Sequence, residues 1–101
     1  MDNRLTIRAS SSVYKILDFD SGDLILSKTI LHPNQSTRGH SHNYNEAYYF
    51  LDTGSILLDE EVLFPEKGEF VFIPGSTFHK VWNNSNTDLE FLCAWSKGEN
   101  K

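Results

Sequence analysis

Turn-forming clusters divide this chain into short apolar runs, and they recur about every 8 to 12 residues. The runs cover residues 13–19, 24–31, 47–51, 55–58, 62–64, 70–73, 78–82 and 89–95. Most of them are too short for helices, and none keeps a 3.6-residue apolar period over three turns. Many short strands joined by regular turns predict an all-β sandwich or barrel.

The length of 101 residues suits one domain with a feasible but thin core. We expect a polar N-terminal lead-in or edge strand over residues 1–12, a single barrel over 13–97 and a C-terminal tail over 98–101. A core this small gains stability from a partner subunit, so we expect a homodimer.

Charge and composition exclude several classes of function. The net charge is −5 and no basic run is present, which argues against nucleic acid as a partner. No apolar run of about 18 residues could cross a membrane, and the N-terminal residues lack the apolar stretch of a signal peptide. The one cysteine, Cys93, cannot form an intramolecular disulfide. These features predict a cytoplasmic protein.

A first group of metal-ligand residue types begins at His40-Ser41-His42. Residues two apart in an extended strand point to one face, and Glu46 has the same parity unless residues 43–45 form a bulge or turn. Two imidazoles and a carboxylate suit a borderline metal with open coordination positions. Because Glu46 enters an apolar run, its charge needs a partner or a metal. The alternatives are a solvated strand face for the histidines and a surface carboxylate for Glu46.

A second group follows the strand predicted at residues 68–73. Pro74 and Gly75 make a turn there, and His79 follows four residues later. A hairpin at this turn would return His79 across the barrel toward the other two histidines. Taken alone, His79 could equally be a core or a surface histidine.

Together these blocks resemble the two motifs of the cupin superfamily. Residues 39–46 (Gly-His-Ser-His-Asn-Tyr-Asn-Glu), followed by Gly54, are similar to the first motif. Gly68, Pro74, His79 and Asn83 match the spacing of the second motif, except that its turn glycine is shifted by one to Gly75.

The resemblance implies a cupin-type double-stranded β-helix (jelly-roll) barrel, of the small single-domain metal-binding kind. It also implies one divalent metal ion (Fe²⁺, Mn²⁺, Ni²⁺ or Zn²⁺), and the implied metal ligands are His40, His42, Glu46 and His79.

Further residues are candidates for the pocket of such a barrel. Tyr44 and Glu46 are the catalytic candidates, as proton-transfer groups. The substrate-binding candidates are Arg38, Tyr48, Phe50, Phe91 and Trp95. For Phe50 core packing is the alternative, for Arg38 a solvated loop, and for Tyr44 a surface turn. We expect Cys93 to be a buried packing thiol, His32 to lie on the surface, and Asn83 to serve either the motif or a hairpin turn.

The expected function is that of a metal-dependent enzyme acting on a small polar molecule such as a sugar, a sugar acid or another carboxylic acid. An isomerase, a lyase and a dioxygenase all remain open, because one fold supports many reactions. The alternative from another class is a non-catalytic cupin that binds a metal or a ligand. A metal-free epimerase is a third reading, but it would need a His-Asp pair.

Overall fold

The computed structural model describes residues 4–97, which fold into two antiparallel sheets. The strands are β1 (Leu5–Ser10), β2 (Tyr14–Asp20), β3 (Leu24–Leu31), β4 (Glu46–Phe50), β5 (Ser55–Leu58), β6 (Glu61–Leu63), β7 (Phe70–Ile73), β8 (His79–Trp82) and β9 (Leu89–Ser96). The larger sheet has the order β1-β2-β3-β9-β4-β7, and the smaller has the order β6-β5-β8. The prediction of an all-β fold is confirmed.

Side chains that alternate along the strands of the larger sheet build the core between the two sheets. In β3 the residues Ile25, Ser27, Thr29 and Leu31 are buried, while Leu24 and Leu26 on the opposite face are exposed. The largest side chains buried to below 2% exposure are Phe50, Phe91, Leu31, Ile56, Ile73, Leu89 and Val81. The core therefore lies between β3, β9 and β4 on one side and β5 and β8 on the other.

Residues 35–40 extend the smaller sheet along β8. The amide of Thr37 donates to the carbonyl of Val81 at 2.9 Å, and the amide of Asn83 donates to the carbonyl of Gln35 at 2.9 Å. His40 and His79 face each other as an antiparallel bridge. This irregular edge brings the first motif beside the second.

Asn83 holds this end of the barrel together. Its side chain is buried, and its Nδ2 donates to the carbonyls of Leu31 at 2.9 Å, His32 at 3.1 Å and Thr87 at 2.7 Å. Its Oδ1 accepts from the amide of Ser85 at 3.1 Å. The last position of the second motif is therefore a structural tie between β3 and the turn that follows β8.

We expect Asn83→Ala to lower the free energy of unfolding by about 2–3 kcal/mol, because it leaves buried carbonyls without donors. Urea unfolding followed by circular dichroism measures this change. Asn86→Ala is the matched control, since Asn86 is exposed in the same turn and should change stability by less than about 0.5 kcal/mol. Equal stabilities for the two variants would contradict the role given to Asn83.

The N-terminal segment supplies the edge strand of the larger sheet, since β1 pairs with β2 alone. Residues 1–3 of the predicted lead-in and the predicted tail at 98–101 lie outside the described residues. The boundaries of the domain stay a prediction. Between residues 4 and 97 no helix has the length and apolar character needed to cross a bilayer.

The outward face of the larger sheet is apolar, and we call it the outer apolar face. One row crosses all six strands in register: Leu5, Phe19, Leu26, Ala94, Ala47 and Phe72. The neighbouring row holds Ile7, Leu17, Lys28, Leu92, Tyr49 and Phe70. Phe70 is 76% exposed and Phe72 is 61% exposed. Large contiguous apolar patches on a protein surface mark interaction sites.

Candidate metal centre

The chain crosses between the two sheets twice at one end of the barrel, and the candidate ligands lie at these crossings. The first crossing leads from His40, beside β8, to Glu46 at the start of β4. The second leads from Ile73 at the end of β7 to His79 at the start of β8. Each of His40 and His79 donates its amide to the other's carbonyl, at 3.1 and 2.9 Å. Backbone pairing therefore sets the two imidazoles side by side.

Two further hydrogen bonds tie the crossings together. The amide of Ser76 donates to the carbonyl of His42, and the amide of Gly75 donates to Oδ1 of Asn45 at 2.8 Å. The backbone bends after His42, which lies outside any strand. The bend at residues 43–45 is thus the alternative that the sequence left open, and the two hydrogen-bonded turns, rather than strand parity, orient Glu46.

Left-handed backbone conformations shape both crossings. Gly39 has φ +85°, which strains any other residue, and a Cβ there would lie 2.5 Å from a ring carbon of Phe78, which would have to move. Ser76 has φ 66° and stands where the resembled motif has its turn glycine. The shifted glycine thus leaves a serine in the conformation that glycine adopts most readily.

The four side chains converge on one point. One donor atom from each of His40, His42, Glu46 and His79 lies within 4.8 Å of the others. Glu46 Oε1 is 2.8 Å from Nε2 of His42 and 3.2 Å from Nε2 of His79. The structure therefore brings together all four ligands that the resemblance implies.

Burial makes the cluster costly without a cation. Glu46 is 5% exposed and His79 is 2% exposed. Among residues 4–97, neither Glu46 Oε1 nor His79 Nε2 has a hydrogen-bond partner of good geometry, although they lie 3.2 Å apart. Nδ1 of His79 lies 3.0 Å from the carbonyl of Thr77. If Nδ1 carries the proton, its N–H donates a hydrogen bond to that carbonyl. The lone pair of Nε2 then points toward the cluster. Three imidazoles and a carboxylate fit a divalent transition metal.

The protonation of the histidines reflects these surroundings. Burial lowers the pKa of His40, and the neighbouring His79 and His42 lower it further. Burial also acts to lower the pKa of His79, but the contacts with Glu46 and with the Thr77 carbonyl outweigh it and raise the pKa above its usual value. Without a cation, the contact with Glu46 therefore favours the protonated form of His79.

A cavity of about 410 Å³ opens from the cluster. Of the residues singled out from the sequence, Arg38, Tyr44, Tyr48, Phe91 and Trp95 line it. Phe50 does not line it; its side chain is fully buried, and its ring lies 5.4 Å from that of Phe91. The substrate-binding expectation for Phe50 thus finds no support in its position, which is that of core packing.

Sequence reasoning missed several polar residues in this cavity, among them Arg8, Ser27 and Thr29. Ser27 and Thr29 are each 4% exposed, at inward positions of β3. The available signal was polar residues at alternating positions inside an otherwise apolar run. Arg8 gave no such signal, because it lies in the N-terminal segment outside the predicted barrel.

Aromatic rings form a stacked column at the side of the cavity. The rings of His42 and Tyr44 are 4.0 Å apart and nearly parallel, at 2°. Tyr44 stacks in turn on Trp95 at 6.1 Å, and the guanidinium of Arg8 lies over Trp95 at 5.8 Å. Burial raises the pKa of Tyr44, and the charge of Glu46 raises it further. The Tyr44 hydroxyl therefore keeps its proton at neutral pH.

Cys93 lies between Ser27 and Tyr48, its register partners on β3 and β4. Burial raises the pKa of its thiol to about 12, while the hydroxyls of Ser27 and Tyr48 act in the opposite direction. A thiol of this kind is not a nucleophile at neutral pH. The prediction of a buried packing cysteine agrees with this position.

Comparison with known proteins gives the same fold. The family model of the cupin domain matches residues 27–95. The uncharacterized protein MJ1618 of Methanocaldococcus jannaschii is 37% identical over 68 residues, which are 66% of this chain and 49% of that protein. The chain thus spans about half the length of this relative.

Solved structures share the architecture at low sequence identity. A cupin-2 domain protein, Rru_A2000 from Rhodospirillum rubrum, has a TM-score of 0.82 at 17% identity, over 96% of this chain and 72% of that one. The polyketide cyclase RemF from Streptomyces resistomycificus has a TM-score of 0.77 at 19% identity, over 95% and 78%. The predicted jelly-roll fold is confirmed. With the family model matching more than half of its residues, the chain belongs to the cupin domain family.

Proposed function

We propose that this protein is a metal-dependent enzyme acting on a small polar molecule, with an isomerase, lyase or dioxygenase type of reaction. The observation that carries the proposal is the convergence of His40, His42, Glu46 and His79 at a cavity. His40 is the exposed member of the cluster and Glu46 and His79 are the buried ones. A bound cation would therefore be accessible from the cavity side.

Each part of the site has a role in this proposal. The four cluster residues would hold Fe²⁺, Mn²⁺, Ni²⁺ or Zn²⁺, and such an ion would polarise a carbonyl, activate water or bind dioxygen according to its type. Tyr44 presents a protonated hydroxyl beside His42 and can donate a proton to a substrate. Glu46 can exchange a proton only where its contact with the ion is loose. Tyr48, Phe91 and Trp95 form apolar walls that orient the substrate.

The polyketide cyclase RemF, which has a similar structure, is a precedent for catalysis in a fold of this kind. A non-catalytic binding cupin is the second candidate. It is favoured by one observation: among the described residues that line the cavity, Glu46 is the one carboxylate, and it belongs to the cluster. Outside the cluster, these described residues include no carboxylate or imidazole that could act as a base.

Elemental analysis of protein purified without chelator tests the metal, and we expect about one ion per chain. Turnover assays of the loaded protein then test catalysis, with oxygen uptake for the dioxygenase type and sugar phosphates and uronates for the isomerase and lyase types. Protein that binds the metal tightly but is inert in every assay would favour the binding module. Protein that takes up no divalent metal would remove the proposal.

We also propose a cytoplasmic homodimer, with the outer apolar face as the contact between subunits. Six strands about 4.8 Å apart and about 20 Å long give about 500 Å² per subunit, which lies at the low end of specific interfaces. The centre of the face is flat, with Ala47 and Ala94 between Leu26 and Phe72. A second copy offers the same surface, as a two-fold contact requires. The cytoplasmic location rests on the sequence alone.

We expect Phe72→Asp to convert the dimer to a monomer, because a charge on each side of the contact would be buried against apolar groups. Light scattering after size-exclusion chromatography measures the mass, with a shift of at least about tenfold in the dimer dissociation constant. Val62→Asp is the control, because Val62 is 47% exposed on β6, away from this face. A monomeric wild-type protein at high concentration would refute the dimer.

A further inference from the structure

The residues that line the cavity differ in charge from the rest of the chain. The whole chain carries a net charge of −5, but the described cavity residues include two arginines, Arg8 and Arg38, and one carboxylate, Glu46. A divalent cation would outweigh the charge of Glu46. Asp18 pairs with Arg8, but with the cation bound the cavity would still be a positive site in an acidic protein, and such a site concentrates anions.

Of the two arginines, Arg8 is the one that the structure holds in place. Its Nε lies 2.9 Å from Oδ2 of Asp18, and its guanidinium lies over the ring of Trp95 at 5.8 Å. Arg38 is exposed in the loop before His40. A held guanidinium loses less rotamer entropy when it binds a ligand, which favours Arg8 as the anchor.

Arg8 keeps donors for a ligand despite its pairing with Asp18. A guanidinium has five N–H donors, and a two-bond pair with one carboxylate uses two of them. The side chain is 50% exposed and lines the same cavity as the cluster.

Ser27 provides a second, independent sign of a polar ligand. Ser27 is 4% exposed and lines the cavity. Apart from its contact with the thiol of Cys93, a weak hydrogen-bonding group, its Oγ has no hydrogen-bond partner of good geometry among residues 4–97. Buried hydroxyls are usually paired. A ligand oxygen that enters the cavity would supply the missing partner.

We propose that the cavity binds a small carboxylate anion, with its carboxylate against Arg8 and a further oxygen at Ser27. This inference deepens the proposed function and rests on its use of the cavity for a small polar substrate. The column of Trp95 and Tyr44 lies between Arg8 and His42. A ligand lying along this column would have its carboxylate at one end and its reacting end at the cluster.

The probes are sodium glucuronate and glucose, which share a ring and differ in the carboxylate. Binding is followed by the NMR shift of the Trp95 indole N–H at constant ionic strength, with the indole of Trp82 as an internal reference. We expect glucuronate to bind at least about tenfold tighter than glucose, and Arg8→Gln to remove about tenfold or more of that preference. Arg8→Lys should restore part of it.

Arg4→Gln is the matched control for charge. Arg4 immediately precedes β1 and lines a neighbouring cleft, so its loss should leave the preference unchanged. Thermal unfolding shows whether each variant is folded. A preference that survives Arg8→Gln, an equal loss in Arg4→Gln, or no glucuronate binding by the wild-type protein would overturn the proposal.

Each titration is run on chelator-treated and on Zn²⁺-loaded protein. An Arg8-dependent preference in protein that holds no zinc would uphold this inference while the metal-dependent function fails.

Discussion

Replacing His42 with alanine is expected to abolish stoichiometric metal binding. The variant removes one of four converging donors and leaves Glu46 without its 2.8 Å contact. Loss of an outer hydrogen-bond partner alone weakens metal sites about 10- to 100-fold, so loss of a direct ligand should cost about 100-fold or more. Elemental analysis after dialysis and a competition titration with a metal indicator give the occupancy and the affinity.

His32→Ala is the control for this experiment. His32 lies outside the cluster and pairs with Asp88 at 3.1 Å, so the variant removes an imidazole without touching the candidate ligands. We expect it to keep the metal content of the wild-type protein. Full occupancy in His42→Ala, or equal losses in both variants, would remove His42 from the ligand set.

Replacing Phe91 with alanine is expected to lower the free energy of unfolding by about 3–5 kcal/mol. Phe91 is 2% exposed, and its ring stacks between those of Tyr48 at 5.2 Å and Phe50 at 5.4 Å. Truncation leaves a cavity between β9 and β4 directly under the candidate metal centre. For a domain stabilised by about 5–15 kcal/mol, this loss is a large fraction of the total.

Urea unfolding monitored by circular dichroism measures the effect, and the midpoint should fall while the slope stays constant. Phe64→Ala is the matched substitution on the surface, because Phe64 is 70% exposed and lies outside the outer apolar face. It should change stability by less than about 0.5 kcal/mol. Similar losses in the two variants would show that Phe91 is not a core residue of the kind described.

Most strands of the fold could be predicted from the sequence because their limits coincide with turn-forming residues. The runs at 24–31, 55–58 and 70–73 are strands with the same limits in the structure. The spacing of the two motifs likewise identified the four residues of the cluster. In these cases local composition and long-range packing favour the same structure.

Other features depend on tertiary contacts that no local pattern records. The approach of Arg8 to Trp95 joins segments far apart in sequence. The pairing of His40 with His79 depends on hydrogen bonds between two crossings of the chain. The sequence suggested that a hairpin would return His79, but β7 and β8 lie in different sheets. Phe50 has the same strand parity as Glu46 and Tyr48, as expected of a pocket residue. Its ring packs against that of Phe91 instead, because the cavity does not reach it. These positions are set by how the two sheets pack together, and not by the secondary-structure propensities of the individual residues.

The place of β9 within the larger sheet has a kinetic consequence. This strand lies between β3 and β4, and its pairing with β3 joins Leu24 to Ser96. The sheet cannot close until β9 arrives from the far end of the described sequence, so its nucleation must overcome a large loop-closure entropy. Refolding after dilution from denaturant should therefore occur in milliseconds to seconds, and the burial of Trp95 on β9 would report when the sheet closes.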